Sequence, residues 1–361
     1  MNKGIWKFLT ITGFLLSIIV ILMIFAVRIK VFDFNAFSNL TQKFFHQSQI
    51  VFDTQVLTQQ TQQNFDDLNS QDIANMQRLQ QGCFSGNDCI PSLDRPKFVS
   101  SKQAEKFLKD DDWVIGLTFN DSQKKNNLFK AYPLKILNWH EVVNDDMDET
   151  PVLVTYSPLS MTPRVYERTI DGKPVDFGVS GMLLNSDFVM YDRTTKSLWN
   201  QFDGQALVGE KRHEKLLIYP SVLMHWKEWA KQYPQTEVLS EETGFNAPYD
   251  KFPYEGYAET SDLYFPLEYT DNRLNSKEKI FGIAIGNQEK AYSATELQKA
   301  SLHGGTFTDE FANVKLSVTY KNDTLNVMDT QTKKQIPAQI AYYFVWEAFY
   351  PNTEIFKAPA T

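Results

Sequence analysis

The chain repeats itself in order, and that repetition limits the fold more than any other feature. Ile115-Gly116 is answered by Phe281-Gly282, Lys130-Ala131-Tyr132 by Lys290-Ala291-Tyr292, and Val154-Thr155-Tyr156 by Val318-Thr319-Tyr320. The last pair is the longest, WAKQYPQTE over residues 229–237 returning as WEAFYPNTE over 346–354. Similarities that keep their order along a chain point to two diverged tandem copies of one unit. Two copies cannot build a solenoid, so the expectation is a pair of pseudo-symmetric halves.

Each copy begins with strand-like runs, WVIGLTF and LFKAYP in the first and KIFGIAI and EKAYS in the second. A short helix follows each, with Pro133 suited to the first turn of one and Ser293 with Glu296 at capping-box spacing in the other. Another strand and hairpin-like runs come next, and each copy closes on a helix with aromatics three and four residues apart. These are Trp226, Trp229 and Tyr233 in the first copy and Tyr343, Trp346 and Tyr350 in the second. An aromatic stripe at that period is read as core packing. The expected fold class is α+β with mostly antiparallel strands, the first repeat over residues 91–240 and a shorter second one over 241–361.

Ahead of the repeats lie two segments of different character. Residues 8–27 are an uncharged apolar run of twenty, enough for a helix to cross about 30 Å of hydrocarbon. Arg28 and Lys30 follow at once where a cleavable signal would carry small residues, so residues 1–30 read as an uncleaved membrane anchor. Residues 31–82 are rich in glutamine and hold neither glycine nor proline until Gly82, which favours a helical stalk. Phe65, Leu68, Ile73, Met76 and Leu79 give its second half an apolar stripe. Phe32, Phe34, Phe37, Phe44 and Phe45 crowd the end nearest the membrane, where they pack on the chain's own domain or meet the bilayer or a membrane-protein partner.

Lysine and arginine flank the apolar run on both sides, so charge does not orient it. The cysteines do. Cys83 and Cys89 bracket a turn-rich loop, and joining them would contribute about 2 kcal/mol and persist only in an oxidising compartment. Reduced thiols are the alternative; the spacing is not CxxC, and no second cysteine pair completes a zinc site. The terminus is therefore placed inside and the bulk of the chain outside, in a bacterial periplasm beyond the inner membrane. Setting aside Lys3 and Lys7, the formal charge of −8 becomes −10, which argues against nucleic acid as a partner. With 42% hydrophobic and 14% aromatic residues the exported part is no disordered chain.

The copies differ most after their shared Thr-Tyr, which stands 77 residues before Tyr233 in the first and 30 before Tyr350 in the second. The extra material holds Gly178-Val179-Ser180-Gly181, Asn185-Ser186-Asp187 and Tyr191-Asp192-Arg193, so the first copy is where a site is sought. Its ligand-binding candidates are Tyr156, Ser180, Asn185, Asp187, Tyr191 and Asp192. An enzyme would use His140 as general acid or base, Glu141 or Asp145 to orient it, and Ser157 or Ser160 as nucleophile or substrate contact. Against that, Gly178-Val179-Ser180-Gly181-Met182 lacks the last glycine of a nucleophile elbow. His140 also fits a structural histidine held by a backbone carbonyl, and no HxH or HExxH spacing makes it a metal ligand. The run from Asn144 to Glu149 lacks the sixth-position glycine of a calcium loop and reads as a solvated turn. No cofactor motif is present.

The Asn138-Trp139-His140-Glu141 run, Thr155-Tyr156 with Pro158-Leu159, and the Gly178-to-Gly181 and Tyr191-Asp192-Arg193 segments resemble the family called domain of unknown function 3179, over roughly residues 90–356. The resemblance implies no assigned activity. In many members the segment after the tyrosine resembles Cys-Pro-Leu-Cys, whereas this chain has Ser157-Pro158-Leu159-Ser160. Serines cannot cycle as a dithiol and bind copper or zinc poorly, so the expectation moves from redox or metal chemistry to a ligand-binding or accessory component of a membrane-associated complex. An extracytoplasmic enzyme and a metal carrier are the alternatives.

Overall fold

The computed structural model describes residues 70–83, 86–121, 126–301 and 305–359. The segments expected to form an anchor at 1–30 and most of a stalk lie outside the described residues, and among those described no helix is long and apolar enough to cross a membrane. The stalk's end is a helix, α1 (Ser70–Arg78), whose Met76, with Leu79 just beyond it, is buried against the domain.

Five larger sheets, mostly antiparallel, form a propeller-like arrangement. The first runs β15 (Ser221–His225), β4 (Trp113–Asp121), β5 (Asn126–Pro133), β16 (Glu237–Leu239), β3 (Phe98–Ser100), with α2 (Ser101–Ala104) after β3. The second is β2 (Leu93–Asp94), β6 (Val142–Met147), β7 (Thr150–Ser157), β8 (Thr162–Glu167), entered from β5 through α3 (Leu134–His140). A small hairpin, β9 (Thr169–Ile170) and β10 (Lys173–Pro174), leads to the third: β1 (Gln80–Gln81), β11 (Phe177–Leu184), β12 (Asp187–Asp192), β13 (Leu198–Asn200), β14 (Ala206–Val208). Every residue of β11 and β12 is buried, so both faces of this hairpin are covered.

After α4 (Trp226–Gln232) and β16 the chain runs without helix or strand until β17 (Lys279–Ile285). That strand opens the fourth sheet, β23 (Gln339–Tyr342), β17, β18 (Gln288–Ser293), β24 (Glu354–Ile355). Between β18 and β23 lie α5 (Ala294–Ser301) and the fifth sheet, β19 (Thr306–Phe311), β20 (Val314–Lys321), β21 (Thr324–Asp329), β22 (Gln335–Ile336); α6 (Tyr343–Phe349) precedes β24. Asn185-Ser186, Ala312-Asn313 and Asn322-Asp323 have positive φ at both positions, the two-residue turn whose twist matches antiparallel strands.

The first and fourth sheets are built alike. β15, β4, β5 and β16 pair as β23, β17, β18 and β24 do, two antiparallel contacts and then a parallel one. Trp229 lies on Gly116 and Trp346 on Gly282, each so close that an added Cβ would stand 2.1 Å from the indole. Both indoles donate to a threonine hydroxyl at 2.9 Å, Trp229 to Thr236 and Trp346 to Thr353. Lys130 Nζ and Tyr132 OH meet Asp145 at 2.7 and 2.6 Å, and Lys290 Nζ and Tyr292 OH meet Asp309 at 2.7 Å each. The Asn144-to-Glu149 run is β6 and its turn; Asn144 is buried, its amide donating to Asp94 and to the Phe177 carbonyl, both at 2.8 Å.

Candidate functional site

Three chain reversals place their polar ends together inside the domain. Where α3 passes into β6, Glu141 takes a left-handed backbone (φ 56°), donates its N–H to Leu137 O and accepts Tyr156 N at 2.9 Å. Between β7 and β8 the turn Ser157-Pro158-Leu159-Ser160-Met161 brings Ser157, Ser160 and Thr162 inward, all buried. From the two-residue turn before β12 comes Asp187, with no solvent exposure.

Asp187 Oδ1 accepts Ser160 Oγ at 2.5 Å and Thr162 Oγ1 at 2.8 Å. Thr162 also lies 3.0 Å from Gln201 Oε1, so its one proton is contested between carboxylate and amide. Gln201 is fixed from its other end, Nε2 donating to Thr155 Oγ1 (2.8 Å) and Thr162 O (2.9 Å). Arg164, on β8, donates to the Phe202, Pro163 and Ile340 carbonyls. Four buried polar atoms here have no hydrogen-bond partner among the described residues: Glu141 Oε2, Asp187 Oδ2, Arg164 Nη2 and Tyr257 OH.

Such burial favours the uncharged acids. It pushes Asp187 up to about 6, opposed by the hydroxyls of Ser160 and Thr162, the Arg164 charge and Ser157. Burial, reinforced by the Asp187 charge, pushes Glu141 up to about 8. At neutral pH Glu141 is therefore mostly protonated, and Asp187 mostly ionised. Among the described residues no group of three or more His, Cys, Asp or Glu is placed to hold a metal ion.

Over this centre lies a strap, residues 241–278, without helix or strand. Its buried Tyr257 packs on Leu159 of the serine turn and Leu183 of β11, with Tyr254, Tyr264, Phe265 and Tyr342 around it. Tyr254 is near enough to Glu141 for the two charges to oppose each other, which with burial raises the phenol. The strap is pinned at one margin by Lys135 to Asp250 and Glu241 (2.6 and 3.0 Å). At the other, Ser186 Oγ donates to Phe265 O at 2.8 Å, and Arg78 pairs with Glu268.

A family model described as Protein of unknown function (DUF3179) matches residues 87–353, which span all five sheets except β1 at the near end and the last strand, β24, at the far end. The chain belongs to the DUF3179 family. No curated protein matches it. No solved structure matches it either.

In this DUF3179 chain, the site candidates from sequence divide into two groups. Glu141, Ser157, Ser160 and Asp187 come together, with Tyr156 beside them on β7. His140 stands apart: its Nδ1 meets Pro91 O and its Nε2 meets Tyr249 OH, each at 2.7 Å, and burial lowers its pKa. Ser180 donates to Val189 O at 2.6 Å and accepts Met182 N at 3.1 Å, bracing the bulge in β11. Asn185 accepts the Glu268 N–H at 3.0 Å and so fastens the strap. Tyr191 donates to Asp88, and Asp192 accepts the backbone of Thr194 and Thr195 and the Trp199 indole.

The two glycines around Ser180 have a packing role. A Cβ on Gly178 would lie 2.4 Å from Asp88, and one on Gly181, at φ +75°, would lie 2.8 Å from Gly86 O. Cys83 and Cys89 are joined in a disulfide, and the loop they close docks on this bulge through Cys83 N to Gly181 O and Asp88 N to Val179 O. Thr162, Arg164, Gln201 and the strap tyrosines were missed from sequence. The cluster of Tyr249, Tyr254, Tyr257 and Tyr264 in a stretch without periodicity was the available signal for the strap.

Proposed function

We propose that this DUF3179 protein is a membrane-anchored, extracytoplasmic ligand-binding or accessory component, with Glu141, Asp187 and the serine turn as its binding centre. The observation that carries the reading is the pair of buried carboxyl oxygens left without partners beside hydroxyls already committed to Asp187. A buried polar atom without a partner is costly in a folded protein, and a ligand that satisfies it recovers that loss. Serine catalysis is supported less, because Ser160 donates to a carboxylate and both His140 ring nitrogens are engaged elsewhere. The site's position also agrees with duplication: the like-built first and fourth sheets are two diverged copies, the first elaborated between β8 and β15.

The anchor at 8–27 and the Cys83–Cys89 disulfide support an outward-facing domain. Affinity capture of the full chain from gently solubilised membranes is expected to recover a stoichiometric membrane partner. Recovery of the chain alone, or its appearance in the soluble fraction after lysis, contradicts the reading.

A further inference from the structure

We propose that the ligand of this centre carries an ammonium group, bound between the Glu141 and Asp187 carboxyls and the tyrosines of the strap. The inference rests on the binding function proposed above and names its ligand class. Among the described residues, the acceptors left without a hydrogen-bond partner at this centre are Glu141 Oε2 and Asp187 Oδ2, on side chains that are 4% and 0% exposed, with the Ser157 hydroxyl also facing Asp187. An ammonium group brings up to three N–H donors and one positive charge, which suits two carboxyl oxygens.

A hard divalent ion asks for six or more oxygens. Here Ser160 donates to Asp187 and the single Thr162 proton goes to Asp187 or to Gln201, so both hydroxyls act as donors, and the Arg164 guanidinium lies close enough to lower the Asp187 pKa. Both features disfavour a second positive charge of two units and are tolerable to one.

The roof adds a second line of argument. Tyr254, Tyr257 and Tyr264 form linked edge and tilted contacts, 6.3 Å between Tyr254 and Tyr264 and 4.6 Å between Tyr257 and Tyr264. Aromatic rings clustered beside buried carboxyls are surroundings that suit an organic cation. The strap already holds one such group: Lys277 Nζ sits 3.3 Å from the centre of the Tyr257 ring and donates to the Asp262 carbonyl at 2.7 Å, although burial lowers its pKa to about 8. Since Asp187 is fully buried, a ligand enters only when the strap lifts between its margins.

Glu141 is faced by Asp187 from β12 and Tyr254 from the strap; Asp187 is faced by Arg164, Ser160, Thr162 and Ser157. An arriving cation ionises Glu141, so binding releases a proton near neutral pH.

The test uses the full chain in detergent micelles, titrated calorimetrically with ethylammonium chloride, putrescine and calcium chloride in two buffers of different ionisation enthalpy. Saturable binding of ethylammonium or putrescine with proton release is expected, weakened about tenfold or more in Asp187→Asn and in Glu141→Gln. The proton release is read on the unaltered chain, so it stands even where a variant folds poorly. Absence of saturable heat with either amine overturns the inference, as does binding of calcium alone or amine binding unchanged in a folded Asp187→Asn. If amines fail while a membrane partner is still captured, the ligand class falls and the accessory function stands.

Discussion

Glu141 sits in surroundings far from what a carboxylate prefers, and the consequences are open to measurement. Its carboxyl is raised to about 8 from a usual value near 4.5, chiefly by burial. The folded state thus holds a proton that the unfolded state has lost across that interval, so stability falls as pH rises from about 4.5 to about 8 and levels off above. Asp187, raised to about 6 from 3.8, adds a fall of the same sign at the lower end. The full change is on the order of a few kcal/mol. Denaturant midpoints between pH 5 and pH 9 are expected to show this slope in the unaltered chain and to lose its upper part, between about 6 and 8, in Glu141→Gln; an equal slope in both denies Glu141 its buried acid. Sequence made Glu141 and Asp187 visible as candidates through their neighbours. It did not make visible their mutual approach, because one leaves a helix and the other starts a strand 46 residues on, with nothing local to couple them. His140 was legible as a residue type, and its two hydrogen bonds to Pro91 and Tyr249 come from positions that no spacing rule ties to it.

At the scale of elements, the legible parts were those with a repeating physical cause. The aromatic spacing in α4 and α6 marks a helix laid on a sheet, and the matched glycines, Gly116 and Gly282, mark where the indole must come closest. Replacing either by alanine sets a methyl group 2.1 Å from a tryptophan ring that is itself buried. Overpacking of that kind costs about 1–3 kcal/mol. Gly116→Ala and Gly282→Ala are each expected to lower the denaturant midpoint by a comparable amount, since both contacts and both Trp–Thr hydrogen bonds are alike. A loss at one position alone, measured by chemical denaturation, would show that the two packings are not energetically equivalent. The strap was not legible as an element. It has no period of 2 or 3.6, and it is held by Lys135, Ser186 and Arg78 from elsewhere in the chain, so its course is set by partners rather than by its own sequence.

For the whole molecule, two sheets built alike suggest two halves that fold apart, whereas the contacts between them argue for one cooperative unit. Tyr342, at the end of β23, donates its N–H to Ser160 O at 2.8 Å, inside the serine turn of the first half. Arg164 of β8 reaches Ile340 O at 3.3 Å, and Met161 and Leu223 pack into the core of the fourth and fifth sheets. Phe202 lies in the cluster formed by Phe344, Val345 and Trp346, with its ring stacked on Phe349 at 4.3 Å. Separating the halves would expose these apolar faces and strip Arg164 and the serine turn of backbone partners, a loss spread over both sides. Cooperative unfolding follows when neither part keeps its core without the other. Calorimetry of the full chain is therefore expected to give a single transition for the folded domain, its van't Hoff and calorimetric enthalpies equal. Residues 87–240 expressed alone are expected to lack a cooperative melt and to bind a hydrophobic dye. Two resolved transitions in the full chain, or a cooperative melt of residues 87–240, would mean that the Glu141–Asp187 cluster is carried by the first half alone and that the second is dispensable to its geometry.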